Sequence, residues 1–158
     1  AAISALDNLR SLDLSYTKIT DQGLPNLNAC RKLQLFDVGF TKLTGQGLAK
    51  LDEAENVEAI NMPGCIVNDE AMLHFGNFPK LVVLNLARNK LTDAAMPRLC
   101  SYVNLTHLSL SENPISDEAV NSLASLVHLK QLGLERTKIT QAGCRKLQAA
   151  LPNTKIWY

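Results

Sequence analysis

Four cysteines and three histidines are the side chains in this sequence most able to act as nucleophiles, general bases or metal ligands. A thiolate attacks carbonyl groups when a neighbouring cation or base lowers the thiol pKa, and zinc sites combine cysteine with histidine. The residues concerned are Cys30, Cys65, Cys100, Cys144, His74, His107 and His128. Whether they can act together depends on the elements that carry them.

Those elements are set by a repeat of 24 residues that begins at Leu9 and recurs six times. The fourth position of each row is apolar: Leu12, Phe36, Ile60, Leu84, Leu108 and Leu132. The sixth position is apolar as well: Leu14, Val38, Met62, Leu86, Leu110 and Leu134. A fixed period of this length indicates units that stack and bury a continuous core. We predict one domain, 1–158, with a partial repeat at 1–8, six repeats at 9–152 and a terminal strand at 153–158.

Each row reads as a strand followed by a helix. Its first six positions alternate apolar and variable residues at the period of a strand. The twelfth position is Thr, Ser or Asn, and Asp follows in four rows, which are signals for the start of a helix. Apolar residues at the sixteenth and nineteenth positions, such as Leu24 and Leu27, mark one buried helix face. The rows therefore predict an α/β fold with about seven parallel strands and short helices, the first near 21–30.

The pattern LxxLxLxxTxITDxGLxxLxxL, best seen in LRSLDLSYTKITDQGLPNLNAC, resembles the leucine-rich repeat of ribonuclease-inhibitor-like proteins. The match covers residues 9–150 and the strand TKIWY. This resemblance implies a leucine-rich-repeat solenoid with a curved parallel sheet on the concave face and short helices on the convex face. It implies partner binding across the concave face and no shared chemistry. The third row, with Pro63 and Gly64 after its strand, departs most from the pattern, and we expect an irregular loop there.

The reactive side chains take structural positions in this repeat. QAGCRK around Cys144 is similar to the Q-A-C-R-G motif of caspase-like nucleophiles, but it has an extra Gly and lies in the apolar sixteenth column. Cys30 and Cys65 also occupy inward columns, whereas Cys100 is expected to be semi-exposed. The three histidines fall on different faces. We predict no enzymatic activity, no metal and no cofactor, and reduced thiols of raised pKa in the cytoplasm or another reducing compartment.

Composition argues against several classes of partner. The chain has 158 residues, 46% of them hydrophobic, and a formal charge of +1, which suits one ordinary domain with its own core. Basic residues are spread along the chain and aromatic residues make up 5%, so the clustered charge and stacking platforms of nucleic-acid binding are missing. No apolar run approaches the roughly 20 residues that span a bilayer. We predict a monomeric domain with a protein partner.

Exposed positions of the strands and turns define the candidate partner-binding face. Leu35, Ala59 and Val83 are apolar in a column that should face solvent, and Tyr16 and Phe40 follow the first two strands. We predict an apolar interface centre with a polar rim, or alternatively a site in the C-terminal rows. A plain surface is another possibility, since single exposed apolar residues are common, and burial by a missing neighbour is the last. The full candidate set is Asp13, Tyr16, Leu35, Asp37, Phe40, Ala59, Asn61, Val83, Asn85, Arg88, His107, Glu135 and Arg136.

Two main functional hypotheses follow. The first is a non-enzymatic protein–protein interaction scaffold whose concave sheet binds one partner. The alternative is a substrate-recognition fragment of a larger adaptor, similar to the F-box leucine-rich-repeat receptors of ubiquitin ligases. That alternative requires a longer parent chain, because these residues contain no F-box. An enzyme with dispersed catalytic residues is a third, weaker hypothesis.

Overall fold

Seven short parallel strands form a single sheet in the computed structural model, which describes residues 7–51 and 55–158. The strands are β1 Ser11–Asp13, β2 Leu35–Asp37, β3 Ala59–Asn61, β4 Val83–Asn85, β5 His107–Ser109, β6 Gln131–Gly133 and β7 Lys155–Trp157. They follow one another in chain order, and each residue pairs with the residue one repeat further on, as Leu12 does with Phe36. The predicted α/β solenoid is confirmed. Residues 1–6 of the predicted partial repeat lie outside the described residues.

The connections between strands carry short helices on one side of the sheet. They comprise two 3₁₀-helices, Asp21–Leu27 and Gln46–Lys50, then α1 Asp69–Leu73, a 3₁₀ turn Asp93–Ala95 leading into α2 Met96–Leu99, a 3₁₀ turn Asp117–Ala119 leading into α3 Val120–Leu123, and α4 Gln141–Ala150. Their positions agree with the repeat. The first segment is a 3₁₀-helix that contains Gly23 and Pro25. Glycine has poor helix propensity, and proline has no N–H to donate to a helical hydrogen bond.

The core lies between the sheet and these helices. From the second strand to the sixth, the fourth-column and sixth-column side chains are buried, as the alternating pattern predicted. Leu12 and Leu14 on β1 are only partly buried at the N-terminal edge. The opposite face of the sheet, called the open face here, corresponds to the predicted concave face.

Buried asparagine side chains at the ninth position of the row, the ninth column, connect neighbouring repeats. Asn113 is 1% exposed, and its Nδ2 donates to the carbonyl oxygens of Leu86 at 2.8 Å and Leu110 at 3.0 Å. Its Oδ1 accepts from the Leu91 N–H at 3.0 Å. Asn89 makes the equivalent bonds one row earlier. The Asn113 Nδ2 also donates to the Ser111 carbonyl oxygen at 3.3 Å. Two of the four bonds of Asn113 reach the preceding repeat, so this side chain fixes the stacking of one unit on the next.

Aspartates of the thirteenth column link the starts of successive helical segments. Asp117 accepts hydrogen bonds from the N–H and the hydroxyl of Thr140 at 2.8 and 2.7 Å. The Thr140 hydroxyl in turn accepts from the Gly143 N–H and caps α4. The same inter-repeat contacts join Asp21 to Thr44, Asp69 to Thr92, and Asp93 to Ser116. The sequence predicted the caps, but not that each carboxylate serves the following repeat. Thr20 makes no side-chain cap bond.

Each of the first six strands is followed by a turn whose eighth-column residue has a left-handed backbone. The φ values are +57° at Tyr16, +55° at Phe40, +62° at Gly64, +56° at Arg88, +58° at Glu112 and +56° at Arg136. The Gly64 N–H donates to the Ala87 carbonyl at 2.9 Å, as the Phe40 N–H does to the Pro63 carbonyl at 2.7 Å. The expected irregular loop in the third row is therefore wrong. Gly64 is the glycine of this column, and glycine adopts a positive φ without steric strain.

Candidate partner-binding face

Three apolar side chains lie next to one another on the open face. The register pairs Leu35 on β2 with Ala59 on β3, and Ala59 with Val83 on β4, and His107 follows on β5. Leu35 is 50% exposed, and the other two are partly buried. A concavity of about 260 Å³ lies beside the first two of them, bordered by Asp37. The structure thus brings the predicted apolar column together as an accessible surface.

An aromatic pair occupies the turns after β1 and β2. The rings of Tyr16 and Phe40 are stacked, with centroids 4.8 Å apart and an interplanar angle of 11°. Tyr16 is 78% exposed and Phe40 37% exposed. The Phe40 ring also covers Gly64, where an added Cβ would lie 2.5 Å from Cδ1 of that ring. Phe40 therefore has structural contacts of its own, and Tyr16 is the more available member of the pair.

The polar fifth column lies between these two apolar groups, and its side chains are partly engaged in the turns. Asp13 accepts from the Ser15 N–H at 2.8 Å, Asp37 from the Gly39 N–H at 3.1 Å, and Asn85 from the Ala87 N–H at 3.0 Å. These side-chain to backbone bonds, two residues apart, are those of an Asx-turn. Hydrogen bonds from the Ser15 hydroxyl and N–H lower the pKa of Asp13 below its ordinary value.

Asn61 is the exception among the Asp and Asn residues of this column, because Pro63 two residues later has no N–H to donate. Its Nδ2 instead donates to Asp37 Oδ2 at 2.7 Å. The predicted polar rim is therefore a polar band that separates two apolar bands. Its amide and carboxylate groups are oriented by the fold.

Charged residues replace the aromatic pair in the C-terminal turns. Arg88 Nε lies 2.9 Å from Glu112 Oε1, and Arg136 Nη1 lies 3.6 Å from the same oxygen. Ion pairs this exposed contribute little to stability. The turn column is thus aromatic before Gly64 and ionic after it.

A second concavity, of about 370 Å³, lies at the C-terminal end of the open face. Its walls include the predicted residues His107 and Glu135 and also Gly133 and Trp157, which were not among the predicted site residues. Gly133 on β6 pairs with Trp157 on β7, so a position without a side chain lies beside an indole ring. The sequence carried this signal, since TKIWY continues the register and places Trp157 in the fifth column. Arg136 lies apart from these walls and contacts Glu112.

The thiols are buried or partly buried. Cys30, Cys65 and Cys144 are at most 8% exposed, and Cys100 is partly exposed. Burial raises the pKa of Cys30, Cys100 and Cys144, and the nearby Asp117 carboxylate adds to the effect at Cys144. The predicted burial and raised pKa are confirmed for Cys30 and Cys144. A thiol of raised pKa is a poor nucleophile at neutral pH.

Within residues 7–51 and 55–158, no three His, Cys, Asp or Glu side chains are grouped so that they could hold a metal ion. No helix in the same part of the chain has the length and apolar character needed to cross a bilayer.

Three segments of the chain, residues 6–26, 79–100 and 103–124, match a family model described as Leucine Rich repeat. No curated protein sequence matches the chain. Among solved structures, a leucine-rich repeat protein of Leptospira interrogans is 18% identical with a TM-score of 0.71, and the match covers 99% of this chain and 38% of that one. Two internalins of Listeria monocytogenes are also similar. The first, inlF, is 20% identical with a TM-score of 0.66 and coverage of 98% and 48%, and the second, inlC2, is 19% identical with a TM-score of 0.65 and coverage of 97% and 72%.

The chain spans less than half the length of the first two of these proteins, and at such low identity the likeness shows the fold alone. The ribonuclease-inhibitor-like variety of the repeat stays a prediction. The repeat itself is shown by sequence and by structure, because the matched segments fall in three of the six rows whose strands are each one 24-residue step apart. The chain has the leucine-rich-repeat fold.

Proposed function

We propose that this chain is a non-enzymatic protein-binding scaffold that contacts a protein partner with its open face. Leucine-rich repeat proteins generally mediate protein–protein interaction. The observation that most supports the proposal here is the stacked pair of Tyr16 and Phe40, whose rings remain 78% and 37% exposed. Aromatic side chains dominate the energetics of protein interfaces, and an exposed pair offers apolar area that only a partner can remove from water.

The geometry of the open face favours binding with little rearrangement. Leu35, Ala59 and Val83 lie on strands that are paired on both sides, and hydrogen bonds within the fold orient Asp37 and Asn61 between the apolar bands. Side chains held in place before binding lose little conformational entropy on association. A complementary partner would bury both apolar bands and donate hydrogen bonds to the polar band between them.

Tyr16→Glu tests this proposal most directly. A partner captured from native lysate by the wild-type protein is expected to bind this variant more weakly by about 2 kcal/mol, the scale of an interface hot spot. The midpoint of thermal unfolding should fall by only about 2–4 °C, the effect of losing the stacking on Phe40, because most of the Tyr16 side chain is in water. Affinity is measured by surface plasmon resonance and stability by circular dichroism. Val83→Glu should have the same effect on affinity.

Leu73→Glu is the matched control, because Leu73 is 69% exposed but lies on α1, on the helical side. It should leave affinity unchanged. If Tyr16→Glu and Val83→Glu fold and bind the captured partner like the wild type, the partner does not use this part of the face. Phe40→Glu is a less clean test, since loss of the ring over Gly64 should also lower stability.

In the adaptor alternative the partner binds the same face, but ubiquitin-ligase subunits are part of the same complex. As a substrate-recognition fragment, the chain would be found in cells within a longer polypeptide that also binds ubiquitin-ligase subunits. Immunoprecipitation of the native protein followed by mass spectrometry distinguishes the two, since a simple scaffold would bring down its partner without a ligase.

We also propose a reducing compartment, such as the cytoplasm, as the site of action. Support comes from Cys65 and Cys144, which are buried thiols, and from Cys100, whose partial exposure would allow oxidation outside such a compartment. The monomeric state and the lack of nucleic-acid binding stay predictions.

A further inference from the structure

We infer that the C-terminal concavity of the open face binds a lysine side chain of the protein partner, an inference that rests on the proposed protein-binding function. The site is the space directly above Gly133, between Trp157 and Glu135, which we call the notch. Gly133 lies on β6, three strands from Ala59, whereas Val83 on β4 borders the same concavity, so a partner could use both sites at once.

Three side-chain oxygen atoms converge on the notch. A Cβ placed on Gly133 would lie 3.0 Å from Ser111 Oγ, 3.1 Å from Ser109 Oγ and 3.4 Å from Glu135 Oε2. Gly133 contributes no side chain and is buried at the floor of the concavity, and Ser109 and Glu135 line the opening above it. The Ser111 hydroxyl donates to Glu135 Oε2 and orients the carboxylate toward this space.

The chemistry of these atoms matches an ammonium group. Lysine Nζ carries three N–H donors and one positive charge, and the notch offers one carboxylate and two hydroxyl oxygens. Hydrogen bonds between ionised partners are about twice as strong as neutral ones. The planar guanidinium of arginine binds a carboxylate through two parallel hydrogen bonds. Three acceptors grouped around a narrow space instead suit the compact ammonium of lysine.

Trp157 forms the wall of the notch and suits a cation for a second reason. Lys155 Nζ already lies 4.8 Å from the centre of the indole ring, so this ring contacts an ammonium within the chain. The aromatic face attracts cations, and the methylene stem of a lysine can pack along apolar surface while its charge stays solvated. Lys155 should at the same time repel a second ammonium, and its removal should strengthen binding of a cationic group.

The experiment uses the single tryptophan of the chain as its reporter. A random peptide library is selected on the folded wild-type protein, and the selected peptides are titrated while Trp157 fluorescence is recorded. We expect selected peptides that change the emission to contain lysine, and replacement of that lysine by norleucine to weaken binding by about tenfold or more. Glu135→Gln should cause a loss of similar size, and Lys155→Met should tighten binding.

Gly133→Ala fills the notch and should also abolish the fluorescence response. The added methyl group would contact only the ends of flexible side chains, so this variant is expected to fold, which circular dichroism checks. The inference would be overturned if the selected peptides contained no lysine, or if no selected peptide changed Trp157 emission. It would also be overturned if Glu135→Gln and Gly133→Ala left the affinity unchanged, or if Lys155→Met bound the peptides more weakly. If the captured partner nevertheless binds the Tyr16→Glu variant more weakly than the wild type, the proposed function stands and only the lysine site is wrong.

Discussion

Replacing Asn113 by alanine is expected to lower the free energy of unfolding by about 2–4 kcal/mol, because it leaves two buried backbone groups without partners. The side chain is 1% exposed, and it is the hydrogen-bond partner of the Leu110 carbonyl and the Leu91 N–H, whereas the Leu86 carbonyl also accepts from Asn89 Nδ2 at 3.0 Å. A buried polar group that loses its only partner costs about 1–3 kcal/mol. With two groups affected the summed cost is about 2–6 kcal/mol, and relaxation of the surroundings favours the lower part of that range.

A second substitution at the same position separates bonds within one repeat from bonds between repeats. Threonine occupies this column at Thr41, where its hydroxyl donates to the Val38 carbonyl at 2.8 Å and accepts from the Leu43 N–H at 3.4 Å, both in its own row. Asn113→Thr should therefore satisfy its own row and leave the Leu91 N–H of the preceding row without a partner. We expect it to lose about half as much stability as Asn113→Ala, on the order of 1–2 kcal/mol.

Urea unfolding followed by circular dichroism measures both losses, with an unchanged slope as evidence that the folded and unfolded states are otherwise alike. Asn104→Ala is the control, since Asn104 is exposed and donates one bond of 3.3 Å to the Pro79 carbonyl. Equal losses for Ala and Thr at position 113, or an Asn113→Ala loss no larger than that of Asn104→Ala, would refute the assignment of inter-repeat stability to this amide.

Three further outcomes are expected. Gly47→Ala should destabilise by about 1–3 kcal/mol, because its Cβ would lie 2.8 Å from Asp21 Cβ and 2.9 Å from Asp21 Cα. Gly23→Ala, at the same column with no described atom within 4 Å, should be neutral or stabilising, and thermal unfolding of both variants checks the contrast. Asp117 has a lowered pKa because the hydroxyl and N–H of Thr140 bind its carboxylate. Because its pKa is lower in the folded state than in the unfolded state, the Asp117 carboxylate stabilises the fold at pH values above its unfolded-state pKa. This contribution is lost as the pH falls through the folded-state pKa. Asp117→Asn should reduce this acid sensitivity, as measured by unfolding at several pH values. Thiol labelling of the native protein should modify Cys100 first and Cys144 only after denaturant is added, and rapid native labelling of Cys144 would contradict its burial.

The fold could be predicted from the sequence because one register explains every strand. Once Leu12 and Phe36 are recognised as the same position in successive rows, parallel pairing and the direction of each side chain follow from the two-residue period of a strand. The type of helix could not be predicted in the same way. The first two segments are entirely 3₁₀, whereas α4 extends from Gln141 to Ala150. All begin with similar residues, so the difference depends on packing and on local Gly and Pro content.

The candidate site was predictable only in part, for a different reason. Leu35, Ala59 and Val83 are conspicuous because apolar residues are unusual at positions that face solvent. Ser109 and Ser111 are ordinary polar residues at ordinary polar positions, and nothing in their type marks them. They converge on one space only because Gly133, in the neighbouring row, has no side chain to fill it. A site made by a missing side chain is visible only when neighbouring rows are compared in three dimensions.

The turn column shows how this fold can separate recognition from stability. A left-handed backbone costs about 1–2 kcal/mol at a residue with a Cβ, and Gly64 shows that glycine fits this turn. Stacking of Tyr16 on Phe40 offsets part of that cost, by about 0.5–1.5 kcal/mol, whereas the exposed Arg88 and Glu112 pair offsets less than about 1 kcal/mol. The bulky side chains of this column therefore add little net stability, while the buried ninth-column amides directly after them hold the repeats together. Substitutions at Tyr16 should consequently act on binding, and substitutions at Asn113 on folding.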